Sequence, residues 1–378
     1  MAMYLNNWLI YGANGYTAEL IIEEAVKRGH QPVLAGRSEH KLLPLAERHA
    51  LKFKVFDCAQ TYKIAQELDG IAVVLNCAGP FEDTAEPLRA ACLAQGIHYL
   101  DITGEMNVLA NSLALHEQAK EKGVAIISGV GFDVVPTDVL AAKVHELLPT
   151  ATHLELAFAG RTRVDELAIE NGQTSSELPP ADEVSGISPG TSKTMVRMLA
   201  DRGKVRRDGA LVSVPLAAEA KSIQFSDQRR YCMSIPWGDI ETAFHSTAIP
   251  NITVFTETPE DQVKWVKRLS PIAGMFAWGW LQKLLNQLID KNIQGPDANA
   301  RAQGQMVLAA TAFNAHESKT LYACCDEGYE FTVTSSLYFV ESLLAHKILP
   351  GAYTPTQAVE PDMLIEMLGI NITAASNS

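Results

Sequence analysis

Residues 8–18 read Trp-Leu-Ile-Tyr-Gly-Ala-Asn-Gly-Tyr-Thr-Ala, which predicts a short apolar strand, a glycine turn and the start of a helix. Gly12 and Gly15 allow backbone conformations that side chains forbid, and they bring bare amides at a helix N-terminus close to a bound anion. Ala18 stands where the dinucleotide fingerprint usually has its last glycine. The segment predicts a pyrophosphate site rather than a turn without a ligand, and the expected binding residues are Gly12, Asn14, Gly15, Tyr16 and Thr17.

Strands and helices alternate over the first third of the chain. The further strands are predicted at residues 33–35, 53–56, 71–75, 99–102 and 124–128. The helix after the first strand has Ala18, Ile21 and Ile22 on one face and ends near Gly29, which is typical of a helix packed on a sheet. This alternation predicts an α/β fold with a doubly wound Rossmann domain.

The end of the second predicted strand indicates which dinucleotide is bound. A site that prefers NAD normally has an acidic residue there, whereas this chain has Gly36-Arg37-Ser38. Arg37 can pair with the 2′-phosphate of NADP and stack on adenine, and Ser38 offers a further donor. The sequence therefore predicts NADP, the alternative being a surface arginine near a helix N-terminus.

Two further strand ends contribute to the predicted cofactor site. The fourth strand is followed by the small residues Cys77, Ala78 and Gly79, which leave room beside a cofactor. Asp57 follows the third strand and either meets the adenine amino group or serves as a helix cap or turn carboxylate.

Hydride transfer also needs a proton donor near the reacting carbon. Glu105 and Asp133 follow the fifth and sixth predicted strands, so they are expected to face the ligand and are the candidate catalytic residues. The alternative for Asp133 is a cap on the helix predicted from residue 137. Asp101 is either another donor or a buried carboxylate bonded to loop amides.

Composition limits the range of partners. A chain of 378 residues with 47% hydrophobic content predicts two domains, and a net charge of −13 opposes binding to nucleic acid. The six cysteines lack metal-ligand spacing, so no metal is predicted. The cysteines and the absence of a signal pattern predict a cytoplasmic protein.

The second domain is predicted to be α+β. Its strands at residues 153–159, 222–225, 231–235 and 252–256 follow one another with few helices between them, which predicts a mainly antiparallel sheet. The polar stretch 171–191 is predicted to be a long loop, either a substrate lid or a surface excursion. The predicted domains are 1–132 for NADP, 133–345 for substrate binding and dimerisation, and a C-terminal segment, 346–378, that packs back on the first domain.

Residues 271–281, Pro-Ile-Ala-Gly-Met-Phe-Ala-Trp-Gly-Trp-Leu, form an almost uncharged run. The run is broken well short of the ~20 apolar residues that a bilayer crossing needs. Its aromatic residues suit an interfacial helix or an acyl-chain portal, while a buried helix or a dimer contact is the alternative. Peripheral lipid contact and a homodimer are the expected associations.

Five motifs together resemble the saccharopine dehydrogenase-like oxidoreductases, a family that includes trans-acting enoyl reductases. They are Gly12-Ala13-Asn14-Gly15-Tyr16-Thr17, Ala35-Gly36-Arg37, Asn76-Cys77-Ala78-Gly79-Pro80-Phe81, Tyr99-Leu100-Asp101-Ile102-Thr103-Gly104-Glu105 and Gly131-Phe132-Asp133-Val134-Val135-Pro136-Thr137-Asp138. The resemblance implies an NADP-dependent oxidoreductase, and we expect a reductase that acts on a C=C or C=N bond of a lipophilic substrate.

Two alternatives stay open. The first is a saccharopine-type amino-acid dehydrogenase, whose substrate carboxylates need converging guanidinium groups. The second domain has many arginines, but pairs such as Arg206-Arg207 and Arg229-Arg230 are interpreted as solvated surface charges. The second alternative is a non-catalytic NADP sensor or lipid-surface adaptor.

Overall fold

The computed structural model describes residues 8–163, 187–200 and 202–375. Contacts divide the described chain into two compact units. The first consists of residues 8–135 and Phe331–Glu360, and the second of residues within 136–330 and 361–375. The greater part of the predicted long loop, residues 171–186, lies outside the described residues.

The first unit contains a parallel sheet of seven strands. The strands are β1 (Trp8–Tyr11), β2 (Val33–Gly36), β3 (Phe53–Val55), β4 (Val73–Asn76), β5 (His98–Asp101), β6 (Ala125–Ile127) and β15 (Gly351–Tyr353). Their order is β15-β6-β5-β4-β1-β2-β3. The predicted doubly wound arrangement is therefore confirmed, because the order 3-2-1-4-5-6 is that of a Rossmann sheet. β15, an extra edge strand beside β6, was not predicted as a strand.

The helices of this unit connect successive parallel strands, except the last one, which follows β15. They are α1 (Tyr16–Lys27), α2 (Glu39–His49), α3 (Thr61–Glu67), α4 (Phe81–Gln95), α5 (Met106–Leu113), α6 (His116–Lys122) and α14 (Pro355–Ala358). The predicted apolar face of α1 is buried. All four residues of β1 and of β4 are also buried, as expected for strands covered on both faces.

The second unit is built on a mixed sheet. Its strands are β7 (His153–Thr162), β8 (Gly203–Arg207), β9 (Ala210–Val214), β10 (Ala220–Gln224), β11 (Arg229–Ile235), β12 (Asn251–Glu257), β13 (Gly304–Phe313), β14 (Ser318–Asp326) and β16 (Asn371–Ala374). Among these described strands every pairing is antiparallel except that of β12 with β7, so the predicted mainly antiparallel sheet is confirmed.

The helices of the second unit lie between these strands or follow them. They are α8 (Pro189–Ala200), α9 (Asp239–Thr247), α10 (Glu260–Leu269), a 3-10 helix (Ser270–Ala277), α11 (Gly279–Asn292), α12 (Ala298–Gln303) and α15 (Pro361–Leu368). Two more helices, α7 (Val135–Leu147) and α13 (Gly328–Leu344), contain residues of both units. Within the described ranges, no helix has both the length and the apolar content needed to cross a membrane.

The two units differ from the ranges predicted for the domains in where the last part of the chain belongs. Residues 331–345, predicted in the second domain, lie in the first unit, where His30 Nε2 lies 3.2 Å from Glu341 Oε1. The C-terminal segment is divided, since β15 joins the first sheet and β16 pairs with β14 in the second. The β15–β6 pairing joins residues more than 200 positions apart and the β16–β14 pairing joins residues about 50 apart, and local sequence patterns show neither.

Candidate nucleotide-binding site

The turn after β1 touches the loop after β4 through backbone alone. Gly12 has a φ of +80°, and a Cβ built on it would lie 2.8 Å from both Cβ and the amide nitrogen of Ala78. The Gly12 and Ala13 amides donate to the Ala35 carbonyl at 2.9 and 3.1 Å. A side chain at residue 12 would force these loops apart, so the glycine is required for their approach.

Helix α1 begins beside this turn without a side-chain cap. Its N-cap residue is Gly15, which has no side chain to accept from the first-turn amides. The Gly15 amide itself donates to the Gly12 carbonyl at 2.9 Å. A helix N-terminus of this kind carries partial positive charge and suits a phosphate group. Tyr16 and Thr17, which the sequence also predicts to bind the nucleotide, are the first two residues of this helix. The predicted binding residues Gly12, Asn14, Gly15, Tyr16 and Thr17 therefore lie together at the turn and the helix start.

The turn also reaches the end of β2. A Cβ on Gly36 would lie 3.6 Å from Asn14 Oδ1, so the Asn14 side chain lies beside the residue that precedes Arg37. Arg37 is exposed, and within the described ranges it forms no hydrogen bond or ion pair. Its guanidinium donors are thus available to a ligand. Ser38 is the N-cap of α2, and its hydroxyl lies 2.8 Å from His40 Nδ1.

Asp57 lies beyond the end of β3, and β3 pairs with β2, the strand that Arg37 follows. Its Oδ1 accepts from the Ala59 amide at 3.0 Å, so the turn-carboxylate alternative is what the structure shows. The adenine contact stays a prediction. Burial raises the pKa of the neighbouring Cys58 thiol to about 11, and the positive charge of Arg37 opposes that shift.

The loop after β4 is held in shape by one buried amide side chain. Asn76 Oδ1 accepts from the Ala78 amide at 3.0 Å, and Asn76 Nδ2 donates to Thr84 Oγ1 at 3.0 Å and to the Tyr99 hydroxyl at 3.2 Å. Thr84 Oγ1 in turn donates to the Ala78 carbonyl at 2.7 Å. The small predicted residues of this loop, Cys77, Ala78 and Gly79, therefore lie on a fixed backbone beside the glycine turn.

Glu105, a predicted catalytic residue, occupies a capping position. Its Oε1 accepts from the Phe81 amide at 2.9 Å and its Oε2 from the Glu82 amide at 2.8 Å. Both amides belong to the first turn of α4, where a carboxylate complements the helix dipole. The geometry therefore favours a structural role for Glu105 in joining the loops after β4 and β5.

Asp101 is fully buried at the end of β5. Its Oδ1 accepts from the amides of Thr103 and Gly129 at 3.1 and 3.0 Å, and its Oδ2 accepts from the Ser128 hydroxyl at 2.8 Å. Burial raises the pKa of this carboxyl despite these bonds. The structure thus shows the alternative of a buried carboxylate bonded to loop amides, and Asp101 joins the loops after β5 and β6.

A buried arginine that the sequence reasoning missed continues this network. Ser128 Oγ lies 2.6 Å from Ser112 Oγ, and Arg89 donates to Ser112 Oγ at 2.7 Å. From the sequence, an arginine within a helical pattern is predicted to lie on the surface. Only the fold shows that it is buried against α5.

Asp133 lies in the loop after β6, against the loop after β5. A Cβ on Gly104 would lie 3.2 Å from Asp133 Oδ2, so the carboxyl packs on the Gly104 backbone. The preceding residue, Phe132, donates its amide to Thr332 Oγ1 at 3.0 Å, which fixes the loop to α13. Burial raises the pKa of Asp133 to about 7. A carboxyl with this pKa exchanges a proton near neutral pH.

The arginines of the second unit are not all solvated. Arg230 donates to both oxygens of Asp227, at 2.5 and 2.9 Å, and Arg206 pairs with Glu241. Both arginines are buried, whereas Arg229 is exposed and Arg207 half-buried. The surface interpretation is therefore wrong for one member of each pair, because successive side chains of a strand point to opposite faces.

Comparison with known proteins finds similarity in the N-terminal part of the chain. The family model described as the saccharopine dehydrogenase NADP binding domain matches residues 8–127. A Homo sapiens saccharopine dehydrogenase-like oxidoreductase is 33% identical over 150 residues, which cover 34% of this chain and 35% of that protein. A trans-acting enoyl reductase from Mycobacterium ulcerans is 34% identical over 149 residues, covering 37% and 34% respectively. The aligned part spans about a third of the length of these relatives.

A solved structure shows the same fold over nearly the whole chain. The apo saccharopine dehydrogenase (L-Glu forming) from Saccharomyces cerevisiae matches with a TM-score of 0.64 and 14% identity, covering 98% of this chain and 100% of that one. The predicted fold class, the resemblance read from the motifs and the choice of NADP are confirmed. Residues 8–127 therefore match the model of the saccharopine dehydrogenase NADP binding domain, and the whole chain shares the fold of a saccharopine dehydrogenase.

Proposed function

We propose that this chain is an NADPH-dependent reductase that acts on a C=C or C=N bond, with Asp133 as the proton donor. The observation that carries the proposal is the arrangement of the carboxyl strand ends. Gly12 and Gly15 follow β1, Arg37 follows β2 and Asp133 follows β6. In parallel sheets a ligand lies across this edge, at the point where the strand order reverses.

The residues at this edge fit NADP in charge and in space. The uncapped N-terminus of α1 complements the pyrophosphate, and the bare Gly12 backbone lets it approach closely. The exposed guanidinium of Arg37 is suited to the 2′-phosphate. When bound, NADPH supplies the hydride, which goes to the electron-poor carbon of the substrate double bond.

Asp133 provides the second half of the reduction. Its carboxyl, with a pKa of about 7, is protonated in a large fraction of molecules at neutral pH and can give a proton to the other atom of the double bond. The hydride and the proton together reduce the double bond. Glu105, whose two oxygens accept backbone amides, positions the loops instead.

The saccharopine-type alternative is disfavoured by the charges of the second unit. A substrate with several carboxylates needs guanidinium groups whose charge is not already compensated. Arg206 and Arg230 are each paired with a buried carboxylate, from Glu241 and Asp227. We therefore propose a substrate with fewer charges, and a cytoplasmic homodimer stays a prediction.

The test is a turnover assay with the full chain and NADPH. Enoyl thioesters and imino acids are supplied separately, and loss of nicotinamide absorbance is measured with wild type and with Asp133→Asn. We expect turnover on one class only, a kcat at least ~100-fold lower for the variant and an unchanged NADPH Kd. Tight NADPH binding without turnover on either class would refute the reductase proposal and favour the sensor.

A further inference from the structure

One stretch of the second unit exposes an unusual concentration of tryptophan. The chain has five tryptophans, and Trp265, Trp278 and Trp280 lie within 16 consecutive residues. Their side chains are 61%, 50% and 63% exposed, whereas Trp8 and Trp237 are buried. Large aromatic side chains are rarely left this exposed unless they bind something.

The exposed aromatic residues continue into apolar stripes on two helices. On α11, Trp280, Leu284 and Leu288 recur every four residues and are each about half exposed or more, so they share one helix face. On α10, Trp265 and Leu269 repeat the same spacing, and both are exposed. The opposite sides of these helices bury Ile289 and Val263. Each helix is therefore packed on one side and apolar on the side that is left exposed.

The four helical segments that carry or adjoin these residues pack on one another. The 3-10 helix contacts α8, α10 and α11, and α11 contacts α8. The Trp278 and Trp280 rings lie 6.2 Å apart between centroids. The exposed aromatics thus belong to a packed helical layer and not to an isolated loop. We call the exposed side chains of Trp265, Leu269, Trp278, Trp280, Leu284 and Leu288 the tryptophan face.

The charge around the tryptophan face is opposite to that of the whole chain. Residues 260–292, which span α10, the 3-10 helix and α11, contain five cationic residues (Lys264, Lys267, Arg268, Lys283 and Lys291) and three acidic ones (Glu260, Asp261 and Asp290), a net charge of +2 in a chain of net charge −13. Lys264 pairs with Glu260 at 3.1 Å, and all five cationic residues are exposed. The Arg268 guanidinium lies 5.4 Å from the centroid of the Trp265 ring, so cation and aromatic ring are adjacent.

From these observations we propose that the tryptophan face docks on the surface of an anionic phospholipid bilayer. Tryptophan prefers the interface between headgroups and acyl chains, and leucines on the same helix face insert next to it. Lysine and arginine at the rim pair with anionic headgroups. The tryptophan face is locally positive although the whole chain is acidic, so it complements an anionic bilayer. This complementarity favours a bilayer over a second copy of the chain as the partner. The alternative prediction that residues 271–281 form a buried helix is contradicted, because Trp278 and Trp280 are exposed.

The proposal does not rest on the reductase activity, so it is tested separately. The full-length protein is sedimented with vesicles of phosphatidylcholine alone and of phosphatidylcholine mixed with phosphatidylserine. Tryptophan emission is recorded at the same time. We expect binding to the anionic vesicles, a shift of the emission to shorter wavelength as tryptophan leaves water, and weaker binding at high salt.

Two pairs of variants separate the contributions of charge and apolar contact. Lys264→Glu/Lys267→Glu and Trp278→Ala/Trp280→Ala should each weaken vesicle binding at least ~10-fold. The matched controls are Lys120→Glu/Lys122→Glu on α6 and Leu211→Ala/Val212→Ala on β9, all of them exposed in the structure and expected to leave vesicle binding unchanged. NADPH affinity and thermal unfolding should be unaltered in all four.

Three outcomes would overturn the proposal. One is that the wild-type protein fails to bind either kind of vesicle. Another is a dimer, measured by light scattering, that Trp278→Ala/Trp280→Ala converts to a monomer, because the tryptophan face would then be covered by a second copy of the chain. The third is equal binding to neutral and anionic vesicles, which would indicate non-specific apolar adhesion and would contradict a preference for an anionic bilayer.

Discussion

At the scale of single residues, we propose that Arg37 decides between the two nicotinamide dinucleotides. Its exposed guanidinium follows β2, where an NAD site normally has a carboxylate. Replacing it by aspartate repels the 2′-phosphate and offers an acceptor to a ribose hydroxyl. We predict that Arg37→Asp weakens NADPH binding ~10- to 100-fold and leaves NADH binding unchanged or tighter, measured by calorimetric titration.

The control for this variant is Arg48→Asp. Arg48 is also exposed and lies on α2, but its partner is Glu19, at 3.8 Å. The same charge change at this position should leave the NADPH-to-NADH preference as it is in the wild type. An equal loss of NADPH affinity in both variants would mean that only net charge matters, which contradicts a specific contact by Arg37.

Asp133 should also affect how stability depends on pH. Its pKa is raised by burial to about 7 in the folded chain, while the unfolded chain releases the proton near the ordinary value of 3.8. Between these values the folded state holds more protons, so this group makes stability fall as pH rises from about 4 to about 7. We predict that Asp133→Asn removes this part of the decline and is more stable than wild type at pH 8, by about 1–4 kcal/mol.

The measurement is chemical denaturation of wild type and variant at several pH values. Other buried carboxyls with raised pKa, such as Asp101 and Glu327, contribute in the same direction, so the difference between the two proteins is the informative quantity. A difference that does not change between pH 4 and pH 8 would refute the assignment of a raised pKa to Asp133.

At this scale the sequence predicted where side chains stand but not what they bind. Gly12, Gly15 and Arg37 were proposed as binding residues from local backbone geometry and strand position, and these roles stay predictions. The capping bonds of Glu105 were not predicted, because its partners, the amides of Phe81 and Glu82, are more than 20 residues away. A carboxylate that follows a strand gives the same sequence pattern whether it faces a ligand or caps a helix that follows the neighbouring strand.

At the scale of elements, the glycine turn after β1 and the loop after β4 are closely packed on each other. Gly12→Ala would place a methyl group 2.8 Å from the Ala78 backbone at a positive φ, and the left-handed conformation alone costs about 1–2 kcal/mol. We predict lower stability and at least ~10-fold weaker NADPH binding, measured by thermal unfolding and titration. Gly160→Ala on β7 is the matched control, since its Cβ meets no atom within 4 Å, and it should change neither property.

The Glu105 carboxylate joins two elements by capping α4. Glu105→Gln keeps one acceptor oxygen but turns an amide group toward a backbone N–H, so one bond is lost and the other loses its charge. We predict a loss of about 1–3 kcal/mol in the free energy of unfolding, measured by urea denaturation. Glu86→Gln, at an exposed position of the same helix, should stay within about 0.5 kcal/mol of wild type.

Secondary structure was predictable where the pattern had one interpretation. In the first unit the six predicted strands all exist, because short apolar runs alternate with helices that end in glycine. In the second unit β8, β9, β13, β14 and β16 were missed. β13 has the sequence Gly-Gln-Met-Val-Leu-Ala-Ala-Thr-Ala-Phe, and an apolar run of this kind suits a buried strand or a buried helix equally well.

At the scale of the whole molecule, the motifs indicated the family and the fold class, but not the path of the last fifty residues. β15 completes the first sheet and β16 the second, so the C-terminal part of the chain serves both units. Such pairings depend on contacts between distant residues, whereas the nucleotide site depends on local turns. This explains why the cofactor was predictable and the division of the C-terminal segment was not.

Selective binding of NADPH by the first unit is the property on which the proposed function depends most directly. The measurement is calorimetric titration of the full-length protein with NADPH and with NADH at the same ionic strength. We predict at least ~10-fold tighter binding of NADPH, because Arg37 meets a charged 2′-phosphate in one ligand and a neutral hydroxyl in the other. Equal affinity for the two nucleotides, or no binding of either, would contradict it.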